Sequence, residues 1–196
     1  MPIMDGEWKT MNFFGRYKRG KRKNRILRDS GNPPAPGGPI DPELALCADK
    51  IRLLFTHTPD LVVRHLMIKQ TGNRAMLVYL DGLTDNNSVN RDVLLPLQTK
   101  QTGSDQALPL SSGRIASIDD WGQVESTILD GDSVLFVEGW TIAYALGTAG
   151  WPQRAIEDPQ LETSLKGAHQ GFVETGSQNI ALLRRYLPHR ELKIKE

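Results

Sequence analysis

The last third of the chain concentrates side chains suited to chemistry more than to packing. Glu157-Asp158-Pro159-Gln160-Leu161-Glu162 leads to Lys166-Gly167-Ala168-His169-Gln170-Gly171-Phe172-Val173-Glu174, then to Asn179 and Leu182-Leu183-Arg184-Arg185. Carboxylates near an Arg pair suit an ion-paired clamp between elements or between subunits. Arg184 lies four residues after Ile180 and so leans toward the apolar side of its helix. An unpaired guanidinium buried there would cost several kcal/mol, so an acidic partner is required. Glu157, Glu162 and Glu174 are the candidates. The other reading is an exposed Arg184–Arg185 pair whose stems lie over the helix.

Reaction chemistry is harder to assemble. His57, His65, His169 and His189 are scattered, with no pair at metal-ligand spacing to Cys or a carboxylate. Gly-x-Ser-x-Gly and Walker-type loops are absent. Gly147-Thr148-Ala149-Gly150 is a Gly-rich turn with no Lys following it. Asp81, Glu138 and Glu174 could pair as acid and base. Each sits beside Gly or Thr at an element end, however, where a carboxylate commonly just satisfies backbone N–H groups. No catalytic residue, metal or cofactor is assigned, and the chain does not read as an enzyme. Cys47, the single cysteine, excludes an intrachain disulfide and reads as a small buried hydrophobe.

The N-terminus carries a second kind of chemistry. Arg16, Lys18, Arg19, Lys21, Arg22, Lys23, Arg25 and Arg28 place eight positive charges in thirteen residues, with Trp8, Phe13, Phe14 and Tyr17 just upstream. Residues 1–40 hold nine Lys/Arg against three acids, or +6, which leaves −5 on the remainder of a chain whose net charge is +1. Such an arm attracts polyanions, whether nucleic acid or an anionic bilayer. The aromatics favour the membrane interface, so nucleic acid ranks behind a lipid surface as its partner. A solubilising tail with no dedicated partner stands level with the lipid reading.

The elements that must position these groups follow from pattern. Seven of the ten residues Ser30 to Pro39 are Gly or Pro, so residues 1–40 are expected to be a disordered arm and residues 41–196 a folded domain. Asp41-Pro42-Glu43 predicts a helix start, with Leu44, Cys47, Ala48, Ile51, Leu54 and Phe55 on one face. Leu61 to Ile68 and Ala75 to Leu80 read as strands, the second apolar enough to be covered on both sides. Thr84-Asp85 caps a helix bearing Val89, Val93, Leu94 and Leu97. Thr99 to Ser117 reads as a surface loop. Asp119-Asp120 opens a short helix through Val124 and Ile128, which Asp130-Gly131-Asp132 stops. Ser133–Val137 and Thr141–Leu146 read as paired strands, Ser177–Leu187 as a helix with Ile180, Leu183 and Leu187 inward, and Leu192–Ile194 as a last strand. The class is α/β: a mixed sheet with flanking helices. With neither a secretory signal nor an apolar run long enough to span a bilayer, this chain alone is expected to be soluble.

The C-terminal motif resembles the GerA family of spore germination receptor A subunits, in which an acidic-Pro segment precedes a Gly turn, a Gly-Phe-x-Glu element, an Asn and a paired Arg. Leu77-Val78-Tyr79-Leu80-Asp81-Gly82-Leu83, Leu94-Leu95-Pro96-Leu97 and Asp130-Gly131-Asp132-Ser133-Val134 are similar to other elements of that family, in order. Ala168 departs from it, standing where the family often has Pro. The resemblance implies the first part of a two-subdomain soluble region that in the family continues toward a membrane-spanning region. It further implies B and C receptor subunits and other A subunits as partners in the inner spore membrane, where nutrient recognition triggers ion release. Glu157, Glu162, Lys166, Gly167, Glu174, Asn179, Arg184 and Arg185 would then be interface or relay residues. A small-ligand module of transport type, or nucleic-acid binding through the arm, are the alternatives.

Overall fold

The computed structural model describes residues 37–99, 108, 110–150 and 175–194. Helix α1 (Leu44–Leu54) is followed by β1 (Leu61–Met67) and β2 (Arg74–Leu80). A continuous helical run comes next: α2 (Asn86–Ser88), a π-helical segment Val89–Leu94 and α3 (Leu95–Gln98). Then come β3 (Ile115–Ile118), α4 (Trp121–Leu129), β4 (Ser133–Val137), β5 (Ala143–Leu146) and α5 (Gly176–Tyr186). The five strands form one sheet in the order β1-β2-β4-β5-β3. Every pairing is antiparallel. The α/β class expected from the pattern is the one observed.

β2 and β4 are buried along nearly their whole length because the sheet has cover on both faces. On one side Met76, Val78, Leu80, Val134 and Phe136 meet Leu44, Cys47 and Ile51 of α1 and Trp121, Val124 and Ile128 of α4. Trp121 stacks on Phe136 with ring centroids 5.8 Å apart. On the other side Ala75, Leu77, Tyr79, Leu135 and Val137 meet Val89, Val93 and Leu97. The cysteine belongs to the first core, as expected. Burial pushes its thiol pKa up to about 11, and its Sγ–H donates to Asp41 O at 3.2 Å.

The helical run after β2 owes one feature to Pro96. Proline has no N–H, so the carbonyl four residues earlier loses its helical donor. That carbonyl, Asp92 O, accepts instead from Ser111 N at 3.1 Å, which fastens the approach to β3. The preceding wide turn is closed by Leu95 N donating to Asn90 O. Asp85 caps the start of the run, its side chain accepting from Asn87 N, and Asp120 caps α4 through Gly122 N.

Several expectations need correction. α1 begins two residues late, with Glu43 at its N-cap and no side-chain cap bond. The carbonyls of Asp41 and Pro42 are turned outward, to the Cys47 thiol and to Gly139 N. The folded body also takes in Gly38 to Ile40. Gly38 N donates to Asp120 Oδ2 at 2.9 Å, and Trp121 Nε1 donates to Pro39 O at 3.1 Å. Thr99 to Ser117 is not all loop, since β3 starts at Ile115 and pairs with β5. Leu192–Ile194 forms no strand: among the described residues its backbone donates only from Leu192 N to His189 O at 3.2 Å and from Ile194 N to His57 O at 3.3 Å. Leu187 is exposed, and the most buried residue of α5 is a charged one, Arg184.

Candidate functional site

The C-terminal segment is held to the sheet at a corner built from the loops that flank β1 and β2. Arg184 is fully buried. Its Nε donates to Asp60 Oδ2 at 2.6 Å and its Nη2 to Asp60 Oδ1 at 2.9 Å, a bidentate pair. Asp60 lies just before β1, and its backbone carbonyl accepts from Asp81 N at 2.8 Å. One residue therefore joins helix α5 to the ends of two strands.

Gly82 completes the corner. Its φ of +81° is left-handed, and a Cβ built there would lie 2.8 Å from the Cβ of Ala181. The missing side chain is what lets α5 rest on the turn after β2. The neighbouring Leu83 O accepts from Gly150 N at 3.1 Å, and Asp85 N donates to Thr148 O at 2.9 Å. Thr84 Oγ1 donates to Gly131 O at 2.7 Å, and the hydroxyls of Ser133 and Thr148 bond at 2.8 Å. Gly150 and α5, the described elements on either side of residues 151–174, are thus fixed to adjacent residues of one turn.

A second buried ion pair follows. Arg190 Nη1 donates to Glu125 Oε2 of α4 at 3.0 Å, with both side chains more than nine-tenths buried. Burial pushes the Glu125 carboxyl above its ordinary range and outweighs the downward pull of Arg190. The sign of the pH dependence follows. With the folded pKa above the unfolded value near 4.5, the folded state holds the proton more tightly. Stability from this group is therefore full at low pH and falls as pH rises from that value through the raised pKa. Glu125→Gln should flatten this part of the profile, as measured by urea midpoints at successive pH values. Superimposable slopes for the two proteins would contradict it.

The expected site residues divide accordingly. Arg184 is a clamp between elements, but its partner is Asp60, not the acids expected to face it. Asp60 follows Thr58-Pro59 and reads locally as a turn residue, so pattern alone gave no reason to pair it across the chain. Arg185, one position on, faces outward, so the two arginines point apart. Asn179 is half-buried on α5. Glu157, Glu162, Lys166, Gly167 and Glu174 lie outside the described residues. So do Arg16, Lys18, Arg19, Lys21, Arg22, Lys23, Arg25 and Arg28. Sequence reading missed Asp60, Glu125 and Arg190; the run of polar residues after Pro188 was the one available hint of the last.

Asp81 and Glu138 do not form an acid–base pair. They stand at opposite ends of β2, separated by about 3.4 Å for each of its residues. Asp81 Oδ1 accepts from Asn86 Nδ2 at 2.9 Å, and Glu138 Oε2 accepts from Arg74 at 3.1 Å. Among the described residues no three His, Cys, Asp or Glu side chains cluster as a metal site would require. No helix among them is long and apolar enough to cross a membrane.

A two-sided antiparallel sheet whose terminal helix is held by a buried bidentate pair defines the class of domain, and a solved structure shares that fold. This is the N-terminal domain of the A subunit of the Bacillus megaterium spore germinant receptor GerK3. It matches with a TM-score of 0.59 at 22% identity, covering 79% of this chain and 58% of that one. Residues 49–196 match the family model described as Bacillus/Clostridium GerA spore germination protein, and the chain belongs to that family. Among its relatives is spore germination protein KA of Bacillus subtilis (strain 168), 26% identical over 167 residues. Spore germination protein GerLA of Bacillus cereus is 27% identical over 143 residues. The matched regions cover 80% and 69% of this chain but only 30% and 29% of those proteins.

Proposed function

We propose that this chain forms the N-terminal, extramembrane domain of a spore germinant receptor A subunit. In that role it relays nutrient detection to B and C subunits and to other A subunits in the inner spore membrane, and it makes and breaks no covalent bonds. The family match over residues 49–196 carries this reading. The corner geometry supports it: among the described residues, the carboxylates of Asp60, Asp81, Asp85, Asp120, Glu125 and Glu138 are each committed to a guanidinium, an amide or a helix cap. Residues 1–40 would lie against anionic lipid through Arg16 to Arg28, apart from Gly38 to Ile40, which join the body. Glu157, Glu162, Lys166, Gly167, Glu174, Asn179 and Arg185 would contact neighbouring subunits, while Arg184 holds α5 in place behind them. Family membership lends no support to a transport-type ligand module or to nucleic-acid binding.

The test is genetic and physical. Spores lacking the gene should lose the response to at least one nutrient, and the tagged protein should co-purify with B and C receptor subunits of the same spore. Parental germination with every nutrient, together with no recovery of those subunits, would overturn the reading.

A further inference from the structure

We propose that the outer edge of β1 is a docking site for an extended, acidic segment of another protein, which adds to the sheet as a sixth strand. The inference stands on the strand itself and does not depend on the receptor reading. Asp81 N donates to Asp60 O, and Ile68 N donates to Asn73 O. In the register that pairs Leu61 with Leu80, these bonds turn the even-numbered residues of β1 toward β2. The N–H and C=O groups of the odd-numbered residues point away from the sheet. Leu61 N is taken by Thr58 O at 3.0 Å, and Lys69 N by Leu97 O at 2.9 Å, so both ends of the edge are closed. Between them the N–H groups of Val63, His65 and Met67 have no partner among the described residues.

Side chains beside this edge fit an incoming strand. Leu61 and Val63 are half-buried and line an open groove of about 790 Å³ with Phe55, Pro59 and Ile194. Thr58 Oγ1 also borders the groove, buried and without a hydrogen-bond partner among the described residues. Met67 is 56% exposed. Ile194 lines the groove as well, its N–H donating to His57 O at 3.3 Å. Arg64, the charge that could guard the edge, is drawn back over the Tyr79 ring at 5.7 Å and donates to Asn90 Oδ1 at 3.4 Å. Among the described residues the backbone is left open.

Charge selects the occupant. Residues 61–80 contain Arg64, His65, Lys69 and Arg74 and no acid, in a body that is otherwise net negative. Among the described residues only Arg74 of these has an acidic partner, Glu138. A second copy is disfavoured. Two-fold pairing about His65 would bring both Arg64 side chains to the diagonal spacing of about 7–8 Å, like charge against like. A strand alternating apolar and acidic residues would lay its apolar side chains along the groove, on the face of Leu61 and Val63, and its acids on the opposite face, where Arg64 stands.

The test is a titration of the ¹⁵N-labelled 196-residue protein with acetyl-Val-Glu-Val-Glu-Leu-Glu-amide and with the same peptide carrying Lys for Glu. The acidic peptide should shift the amides of Val63, His65 and Met67 and slow their exchange. It should also bind about tenfold more tightly than the basic one. Arg64→Glu, a change on the surface, should reverse that order. Equal binding of the two peptides, or no shift at millimolar peptide, would overturn the proposal. So would finding the three amides already protected in the free protein, since another part of the chain would then cover the edge.

Discussion

Arg184→Ala is expected to lower the stability of the folded domain by about 3–5 kcal/mol, because it leaves the carboxylate of Asp60 buried without its counter-charge. The Asp60 side chain is only 9% exposed and cannot recover full hydration in place. Asp60→Ala should cost a similar amount by stranding the guanidinium. The paired replacement Arg184→Met with Asp60→Leu should recover much of the loss, since isosteric apolar groups can substitute for a buried ion pair. Urea denaturation of the three variants separates these outcomes. Hydrogen exchange should show α5 opening first in the single variants. A single variant as stable as the parent would mean that the pair does not carry the corner.

Gly82→Ala should be the second large effect. A non-glycine residue held in left-handed backbone costs about 1–3 kcal/mol. The new Cβ would also lie 2.8 Å from the Cβ of Ala181, so α5 must lift. Overpacking of this kind costs about 1–3 kcal/mol more. The two contributions can be separated: Ala181→Gly in the Gly82→Ala background should restore the packing part and leave the backbone part. Thermal unfolding of both variants measures it, and a neutral Gly82→Ala would remove the contact from the account.

Most of the sheet could be read from the sequence because it is written in local pattern. Ala75 to Leu80 and Ser133 to Val137 are apolar runs of strand length, and both proved to be interior strands. Asp85 and Asp120 sit where cap chemistry places them. What escaped was decided at long range. β3 is four residues of weak alternation, and pairing with β5 makes it a strand. Leu192–Ile194 alternates convincingly, but among the described residues its amides meet only the carbonyls of His189 and His57 and no neighbouring strand. The buried arginine of α5 was visible from its spacing to Ile180. Its partner was not, because Asp60 is 124 positions away and lies in a turn whose local reading was already complete. Charged pairs between distant segments leave no periodic trace in either one.

The solitary thiol makes the molecule convenient for optical and magnetic probes. With Cys47 shut inside the first core and its pKa near 11, only about one thiol in ten thousand is ionised at neutral pH. A maleimide dye or a nitroxide should therefore react at a newly introduced surface cysteine and spare the native one. Fluorophores attached in this way on α5 and on β1 would report the distance between helix and sheet edge without first deleting a core residue.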